Sequence, residues 1–378
     1  MFPVAKFYIF HQLKNSHTKN CELVKVKYFE QFCNERNLSE ETIKGYKYSI
    51  NKYTQYYGMT IDELIDEAIE EEIEGIDKRR RSLKTRLLQF RTFLLNETNL
   101  KQSSIKTKMR RLIALYSHFD VEIPHLPLMQ EDDKNETTYL DLPTKEQIKM
   151  AIDIAGIRIA SLILFMVSSG TGRTECASIT IQDFIDATSE YHSSDKLEDV
   201  LMELKGSVKP VVPTWFLYRQ KTKKKYYTFC TPECTDAIVN WLELRLQMAE
   251  QNNETILLTD SLWNLSQRKI TYHLQHINDE LNFGFKGAYR FLRPHTLRKF
   301  NASNIGLSQD NIDLLQGRSR GAIHETYIKT NPEWLKETYM TVMDNVTIGE
   351  TGKKEIKHEE FNININLNFF GDNFTMSF

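Results

Sequence analysis

A break in the hydrophobic pattern between Asp120 and Leu142 divides the chain into two parts that must each build a core. The break contains Pro124, Pro127 and the acidic-polar run 130–137. Such composition is typical of an interdomain linker, and 378 residues fit two domains better than one. The predicted organisation is an N-terminal extension over 1–20, a helical domain over 21–120, a linker over 121–143, a second domain over 144–345 and a C-terminal tail over 346–378.

The part before the break carries a helical pattern. Apolar residues recur at helical spacing from about Cys21 to Phe119. Ser39 is a typical N-cap for one helix, and the capping box Thr60-x-x-Glu63 opens the next. The pattern predicts four or five helices with short connections, which is a small all-helical domain.

The second part is mixed. The capping box Thr144-x-x-Gln147 opens an apolar helix pair that runs up to Val167, and between Leu201 and Phe229 the pattern becomes β-like around a cationic turn. Helices resume at Pro232, a residue favoured at the first position of a helix, and continue to about Asp344. The whole chain is therefore predicted to be mainly α with a small β-sheet.

The tail contains an alternating segment, residues 362–369, in which polar and apolar residues follow each other with period two. This pattern predicts a half-buried strand without a hairpin partner. Two interpretations remain open: the strand adds to a sheet edge of a neighbouring subunit, or it packs on its own subunit.

Charge is nearly balanced over the chain but strongly clustered. Nine acidic residues and no basic one lie between Met59 and Asp77, whereas twelve basic residues and one acidic residue lie between Lys78 and Arg111. A cationic run of this density repels itself unless a polyanion lies against it, although a solvated helix face is the alternative. Because the basic positions interleave with apolar helical positions, we predict a nucleic-acid surface. The predicted DNA-binding residues are Lys78, Arg79, Arg80, Arg81, Lys84, Arg86, Lys106, Lys108, Arg110 and Arg111.

Polar motifs recur along the second part in a defined order. Arg173 follows two glycines after an apolar helix, and a lysine-rich turn follows the first β-like run. The spacing of His295-x-x-Arg298 places both side chains on one face of a helix that begins near the preceding proline. A glycine and Arg318 are followed nine residues later by Tyr327.

Together these motifs resemble those of tyrosine recombinases, the phage-integrase type of site-specific DNA recombinases, over roughly residues 21–343. The resemblance implies a helical core-binding (SAM-like) domain and an α+β catalytic domain that clamp a DNA duplex. It implies catalytic roles for Arg173, Lys221 (with Lys223 as the alternative), His295, Arg298, Arg318 and Tyr327.

Two positions depart from the family pattern. The family usually has histidine or tryptophan at the position of Arg318, whereas some archaeal relatives have arginine there, as this sequence does. Glu175 lies two residues after Arg173 instead of three, so it is either the buttressing carboxylate of the site or a plain carboxylate at a helix start.

The residue types suit cleavage of a DNA phosphodiester by a phenol. Attack by Tyr327 would build negative charge on the phosphate oxygens, which Arg173 and Arg298 can each meet with a planar fork. His295 can assist proton transfer, Lys221 can protonate the leaving 5′ oxygen, and the tyrosine becomes a 3′-phosphotyrosyl link. We expect no metal and no cofactor, because the sequence has neither a phosphate-cradling glycine loop nor a paired-carboxylate site.

Three other tyrosines compete with the proposed nucleophile. They are Tyr272, Tyr289 and Tyr339, and the sequence favours a buried core role for each.

The resulting functional prediction is a metal- and ATP-independent, integrase-like site-specific recombinase. A catalytically impaired DNA-binding accessory protein and a topoisomerase-like nickase remain as alternatives. Expected partners are double-stranded DNA and further copies of the chain in a tetrameric synapse. No membrane partner is expected, since the longest apolar stretch, Ile159 to Val167, is too short to span a bilayer. The expected location is the cytoplasm, with a prokaryotic, archaeal or viral origin.

Overall fold

The computed structural model describes residues 27–129, 138–319 and 331–349. The chain divides into two compact units, Met1–Asn135 and Glu136–Phe378. No helix in the described ranges is long and apolar enough to cross a membrane. The predicted N-terminal extension and the alternating segment of the tail lie outside the described residues.

The described part of the first unit consists of helices. Ser39 caps one of them through its side chain, and Thr60 and Glu63 form the expected capping box of the next. The helices are α1 (Lys27–Glu35), α2 (Glu40–Tyr57), α3 (Ile61–Ile73), α4 (Ser82–Asn96) and α5 (Gln102–His118).

Aromatic side chains from different helices form the centre of this unit. Tyr53 of α2, Phe90 of α4 and Tyr116 of α5 are fully buried. The Tyr53 and Phe90 rings lie 5.0 Å apart edge to face, and the hydroxyl oxygens of Tyr53 and Tyr116 are 3.3 Å apart. The two buried tyrosine hydroxyl groups are thus paired inside the core.

In the second unit, most of the described residues are also helical. A capping box, Thr144 with Gln147, opens the first helix as its sequence predicts. The helices are α6 (Lys145–Ile154), α7 (Ile157–Ser169), α8 (Arg173–Ser178), α9 (Ile181–Ala187), α10 (Leu197–Lys205), α11 (Pro232–Asn252), α12 (Gln267–Glu280), α13 (Pro294–Asn304), α14 (Gln309–Leu315) and α15 (Pro332–Met340), with 3₁₀ turns at Tyr139–Asp141 and Met343–Asn345.

Helix α7 is the centre of this unit. Almost every residue from Ile159 to Ser169 is buried, and a helix that is apolar on all sides must be covered on all sides. Helices α11 and α13 pack against it. The C-terminal end of α7 and the start of α8 are therefore held close to α13.

Two antiparallel hairpins complete the unit. Strands β1 (Thr214–Arg219) and β2 (Lys224–Phe229) pair from Thr214 opposite Phe229 to Arg219 opposite Lys224. Strands β3 (Phe285–Lys286) and β4 (Tyr289–Arg290) form a much shorter hairpin. The prediction of a mainly helical protein with a small β-sheet is confirmed.

Two boundaries differ from the predictions. The β-like region was expected from Leu201, but that residue lies in α10, where Leu197, Val200 and Leu204 are buried with it at helical spacing. The β3–β4 hairpin interrupts a stretch expected to be helical. Two paired residues in each strand are too few to produce a period-two pattern in the sequence.

Candidate active site

The site is organised around the turn that follows α14. Gly317 adopts the left-handed conformation with a φ of 59°, which favours glycine. A side chain here would place its Cβ 2.7 Å from the buried ring of Tyr226. The turn is closed by the Arg318 backbone N–H, which donates to the Asp313 carbonyl oxygen at 2.8 Å. Glycine at this position thus fixes the direction of the Gln316 carbonyl and of the Arg318 side chain.

Arg298 lies at the bottom of the site. It is 8% exposed; Nη1 donates to the Gly170 carbonyl oxygen at 2.7 Å and Nη2 to the Gln316 carbonyl oxygen at 2.8 Å. Burial, helped by the neighbouring cation of Arg219, lowers the pKa of Arg298 to about 10. The guanidinium therefore remains charged at neutral pH.

His295 lies one turn before Arg298 on α13, near the mouth of the site. Partial burial lowers its pKa, and the cations of Lys299, Arg293, Arg298 and Arg318 lower it further. The imidazole is consequently neutral at neutral pH and can accept a proton.

A buried amide network joins three segments of the unit. Gln316 is fully buried, and its Nε2 donates to Asn301 Oδ1 at 2.8 Å. Asn301 Nδ2 donates to the carbonyl oxygens of Val167 and Ser168, both at 2.9 Å. The end of α7, helix α13 and the Gly317 turn are thereby held together. Neither amide stands out in the sequence; the spacing of three between Arg298 and Asn301 on one helix was the available signal.

Arg219, the last residue of β1, was also missed. Its Nη1 donates to the Gln316 carbonyl oxygen at 2.6 Å, so this oxygen accepts from both Arg219 and Arg298. Arg219 Nε lies 3.8 Å from Glu175 Oε1, and their side chains are only 14% and 8% exposed. Glu175 is thus a buried counter-charge beside two guanidinium groups and not a solvated carboxylate at a helix start.

The turn between β1 and β2 carries the two candidate lysines. Lys221 and Lys223 are both exposed. Between them, Thr222 Oγ1 donates to the Gly317 carbonyl oxygen at 3.0 Å. The lysine turn therefore lies against the glycine turn.

Arg318 is held by its own turn. One terminal nitrogen lies 3.4 Å from Asp313 Oδ1, and the other donates to Gln316 Oε1 at 2.7 Å. Its side chain is 35% exposed, so part of the guanidinium faces solvent.

An open cleft of about 450 Å³ brings several predicted residues together. Arg173, at the first position of α8, donates from Nη1 to Thr271 Oγ1 at 3.0 Å. Arg173, His295 and Arg298 all line this cleft.

The tyrosines fall into three groups. Tyr327 lies outside the described residues. Tyr339 is 1% exposed and donates to the Ser168 carbonyl oxygen at 3.2 Å, so its predicted core role is confirmed. The same prediction was wrong for Tyr272 and Tyr289, which are 62% and 58% exposed. Tyr272 lies opposite the buried face of α12, and Tyr289 lies on the short hairpin.

In the first unit, several predicted DNA-binding residues have intramolecular partners. Arg81 lies 2.8 Å from Glu72, and Lys78 and Arg86 form ion pairs with Glu122 and Glu67. The acidic run therefore neutralises part of the basic run. The expectation that only an external polyanion relieves its repulsion was too strong.

Two further members of that set are tied to the protein itself. Lys108 is 6% exposed, with Nζ 3.8 Å from the centre of the Tyr48 ring, and burial lowers its pKa. Arg111 donates to the Gly45 carbonyl oxygen at 2.8 Å. Lys106 is partly exposed, whereas Arg79, Arg80, Lys84 and Arg110 are exposed.

Among the described residues there is no cluster of three or more histidine, cysteine, aspartate or glutamate side chains that could hold a metal ion. No family model matches the sequence, and no curated protein matches it.

Solved structures of recombinases and integrases are similar to the chain. The XerH site-specific recombinase bound to difH substrate is 15% identical with a TM-score of 0.46, and the match covers 82% of both chains. A lambda integrase tetramer bound to a Holliday junction is 11% identical with a TM-score of 0.43, covering 80% of this chain and 75% of that one. The Tn1549 transposon integrase bound to transposon right end DNA is 12% identical with a TM-score of 0.42, covering 83% and 98%.

Proposed function

We propose that the chain is a site-specific DNA recombinase that cuts and rejoins DNA through a 3′-phosphotyrosyl intermediate at Tyr327, without metal or ATP. The observation that carries this proposal is the convergence of Arg173, His295 and Arg298 on one cleft, whose lining includes no carboxylate among the residues that the structure describes. Arginine side chains gathered at a concave surface favour an anionic ligand, and Glu175 balances only one of the charges of Arg173, Arg219 and Arg298. A DNA phosphate is the ligand that the motif spacing also predicts.

The proposed division of work follows from the hydrogen-bonding capacity of each group. A guanidinium has five N–H donors, and Arg298 uses one on Gly170 and one on Gln316. The remaining donors, with those of Arg173, are available to the phosphate oxygens as negative charge builds up in the transition state. His295 is neutral at neutral pH because its pKa is lowered, so it can accept the phenol proton.

Lys221 is the proposed acid for the leaving 5′ oxygen. Its support is the hydrogen bond from Thr222 to the Gly317 carbonyl oxygen, which keeps the lysine turn beside the segment that leads to the nucleophile. Lys223 on the same turn is the alternative.

We assign DNA-backbone binding outside the cleft to the first unit, as the proposed core-binding domain. The exposed side chains of Arg79, Arg80, Lys84 and Arg110 provide its cationic surface. Recombination also requires several copies of the chain on DNA, which we propose to be a tetrameric synapse.

The test is to trap the covalent intermediate. The protein is expressed in cells, the cells are lysed in denaturant, and the DNA that remains attached to the protein is sequenced. The recovered site is then prepared as a nicked suicide duplex, on which a covalent adduct accumulates. Tyr327→Phe should abolish the adduct and leave DNA binding intact. Tyr272→Phe and Tyr289→Phe are matched controls, since both side chains are exposed, and both should retain the adduct.

Other outcomes separate the alternatives. An adduct that survives Tyr327→Phe would refute the assigned nucleophile. DNA binding without any adduct would identify an accessory protein, and relaxation of supercoils without recombinant products would identify a nickase.

A further inference from the structure

The cleft that holds the three predicted residues extends beyond them to the β3–β4 hairpin. Besides Arg173, His295 and Arg298, its walls include Thr271 and Gln275 from one face of α12 and Phe285, Tyr289, Arg290 and Arg293 from the hairpin region. Its volume of about 450 Å³ lies within the usual range of ligand sites. The proposed strand transfer uses only one end of this cleft.

The hairpin end combines exposed aromatic rings with arginines. Phe285 and Tyr289 are 60% and 58% exposed. The guanidinium carbon of Arg290 lies 5.3 Å from the Phe285 ring centre, and that of Arg293 lies 4.4 Å from the Tyr289 ring centre. Aromatic rings beside arginines are the combination that binds unpaired bases of nucleic acids.

Arg293 in particular lacks full pairing within the protein. Its Nε is buried and has no hydrogen-bond partner among the described residues. Arg290, in contrast, is occupied by Asp279, to which it donates three hydrogen bonds of 2.7 to 2.9 Å. Of these two arginines, Arg293 is therefore the one whose guanidinium is not occupied by a carboxylate of the described residues.

The hairpin is anchored at its base. The buried side chain of Asn278 donates from Nδ2 to the Gly284 carbonyl oxygen at 3.1 Å and accepts at Oδ1 from the Leu292 backbone N–H at 2.8 Å. Gly284 also accepts from the Phe291 N–H at 3.0 Å. A ring held on such a support loses little conformational freedom when a ligand stacks on it.

We propose that this cleft binds one DNA base displaced from the helix, next to the phosphate held by Arg173 and Arg298. The base would stack on Tyr289, with the Gln275 amide at its edge. A base inside a duplex shows only its edge in the groove, whereas a displaced base exposes its ring face. This inference rests on the proposed function, since it takes DNA to be the substrate.

The test measures affinity for three short duplexes of one arbitrary sequence: fully paired, with one extrahelical 2-aminopurine, and with one extrahelical abasic site. Base stacking on an aromatic side chain corresponds to roughly fivefold to a hundredfold in affinity. The full chain should bind the 2-aminopurine duplex about tenfold more tightly than the abasic one, at the lower part of that range, and quench its fluorescence.

Variants assign the effect to the cleft. Tyr289→Ala should remove the preference, and Tyr289→Phe should keep it because the ring remains. Tyr272→Ala is the matched control, since this tyrosine is equally exposed but is not among the residues that line the cleft. Tryptophan emission checks that each variant is folded.

Equal affinity for the 2-aminopurine and abasic duplexes would overturn the inference, as would a Tyr289→Ala variant that weakens binding to all three duplexes equally. The measurement requires no cleavage. A preference for the displaced base without any covalent adduct would therefore refute only the strand-transfer proposal. A covalent adduct without this preference would refute only the displaced-base site.

Discussion

Neutralising Glu175 should destabilise the second unit more than neutralising its partner. Glu175→Gln keeps the shape of the side chain and removes only its charge. Arg219 and Arg298, both largely buried and joined to one carbonyl oxygen, would then lie together without this counter-charge. Removing one partner of a buried ion pair costs about 3 to 5 kcal/mol. We expect about 3 kcal/mol, the lower end of that range, because the contact is 3.8 Å long and both side chains keep some exposure.

The opposite substitution, Arg219→Met, should cost less. Glu175 keeps the neighbouring cation of Arg298, and the Gln316 carbonyl oxygen still accepts from Arg298. The main loss is therefore one charged hydrogen bond, worth about 1.5 to 3 kcal/mol. In the Glu175→Gln background the same substitution also removes one of two repelling cations. The loss of unfolding free energy in the double variant should therefore be smaller, by about 1.5 kcal/mol or more, than the sum of the losses in the two single variants.

Urea unfolding followed by tryptophan emission is a suitable assay. All four tryptophans, Trp215, Trp241, Trp263 and Trp334, belong to the second unit, so the signal reports on that unit alone.

Glu243→Gln is the control for this experiment. Its ion pair with Lys205 is open to solvent, with 32% of the Glu243 side chain and 50% of the Lys205 side chain exposed, and such pairs contribute less than about 1 kcal/mol. Strict additivity of the Glu175 and Arg219 variants, or a Glu175→Gln effect no larger than that of Glu243→Gln, would refute the reasoning.

Three further predictions concern the site. Gly317→Ala should destabilise the second unit clearly more than Gly284→Ala in the same unfolding assay. Both glycines have a positive φ, which costs an alanine about 1 to 2 kcal/mol, but only at Gly317 would the added Cβ also clash with a ring, that of Tyr226. Equal losses of stability in the two variants would contradict this. Because the pKa of His295 is lowered on folding, its contribution to stability is present above the unfolded pKa of about 6.5 and is lost as pH falls from there through the lower folded pKa. His295→Gln should accordingly lose less stability than the parent chain between neutral and mildly acidic pH, and parallel losses would disprove it. Lys221→Ala should slow cleavage about 10²- to 10⁴-fold and recover on DNA whose leaving oxygen is replaced by sulfur, which needs no proton; recovery in Lys223→Ala instead would move the role to that residue.

Several features of the fold could be predicted because they depend on neighbours in the chain. The helix caps at Ser39, Thr60 and Thr144 each use a residue three positions later, so a few consecutive residues are enough to predict them. The helix that begins before His295 follows from its proline in the same way. The apolar character of α7 likewise predicted a buried helix.

The ion pairs of the first unit could not be predicted from neighbours in the chain. The acidic run and the basic run are visible in the sequence, but their pairing depends on how α3 packs beside α4 and its preceding loop. Arg86 meets Glu67 and Arg81 meets Glu72, and these contacts decide which cations remain exposed. Charge density alone could not separate them.

By itself, the sequence determined a mainly helical fold and the motif positions Arg173, His295 and Arg298, because these follow from local spacing. Tertiary structure decided how the second unit supports them. The Gln316 carbonyl oxygen accepts from Arg219, which is 97 positions away, and Asn301 holds the end of α7 across 134 positions. A buried polar group must find a partner wherever the packed chain supplies one, and only folding reveals which residue that is.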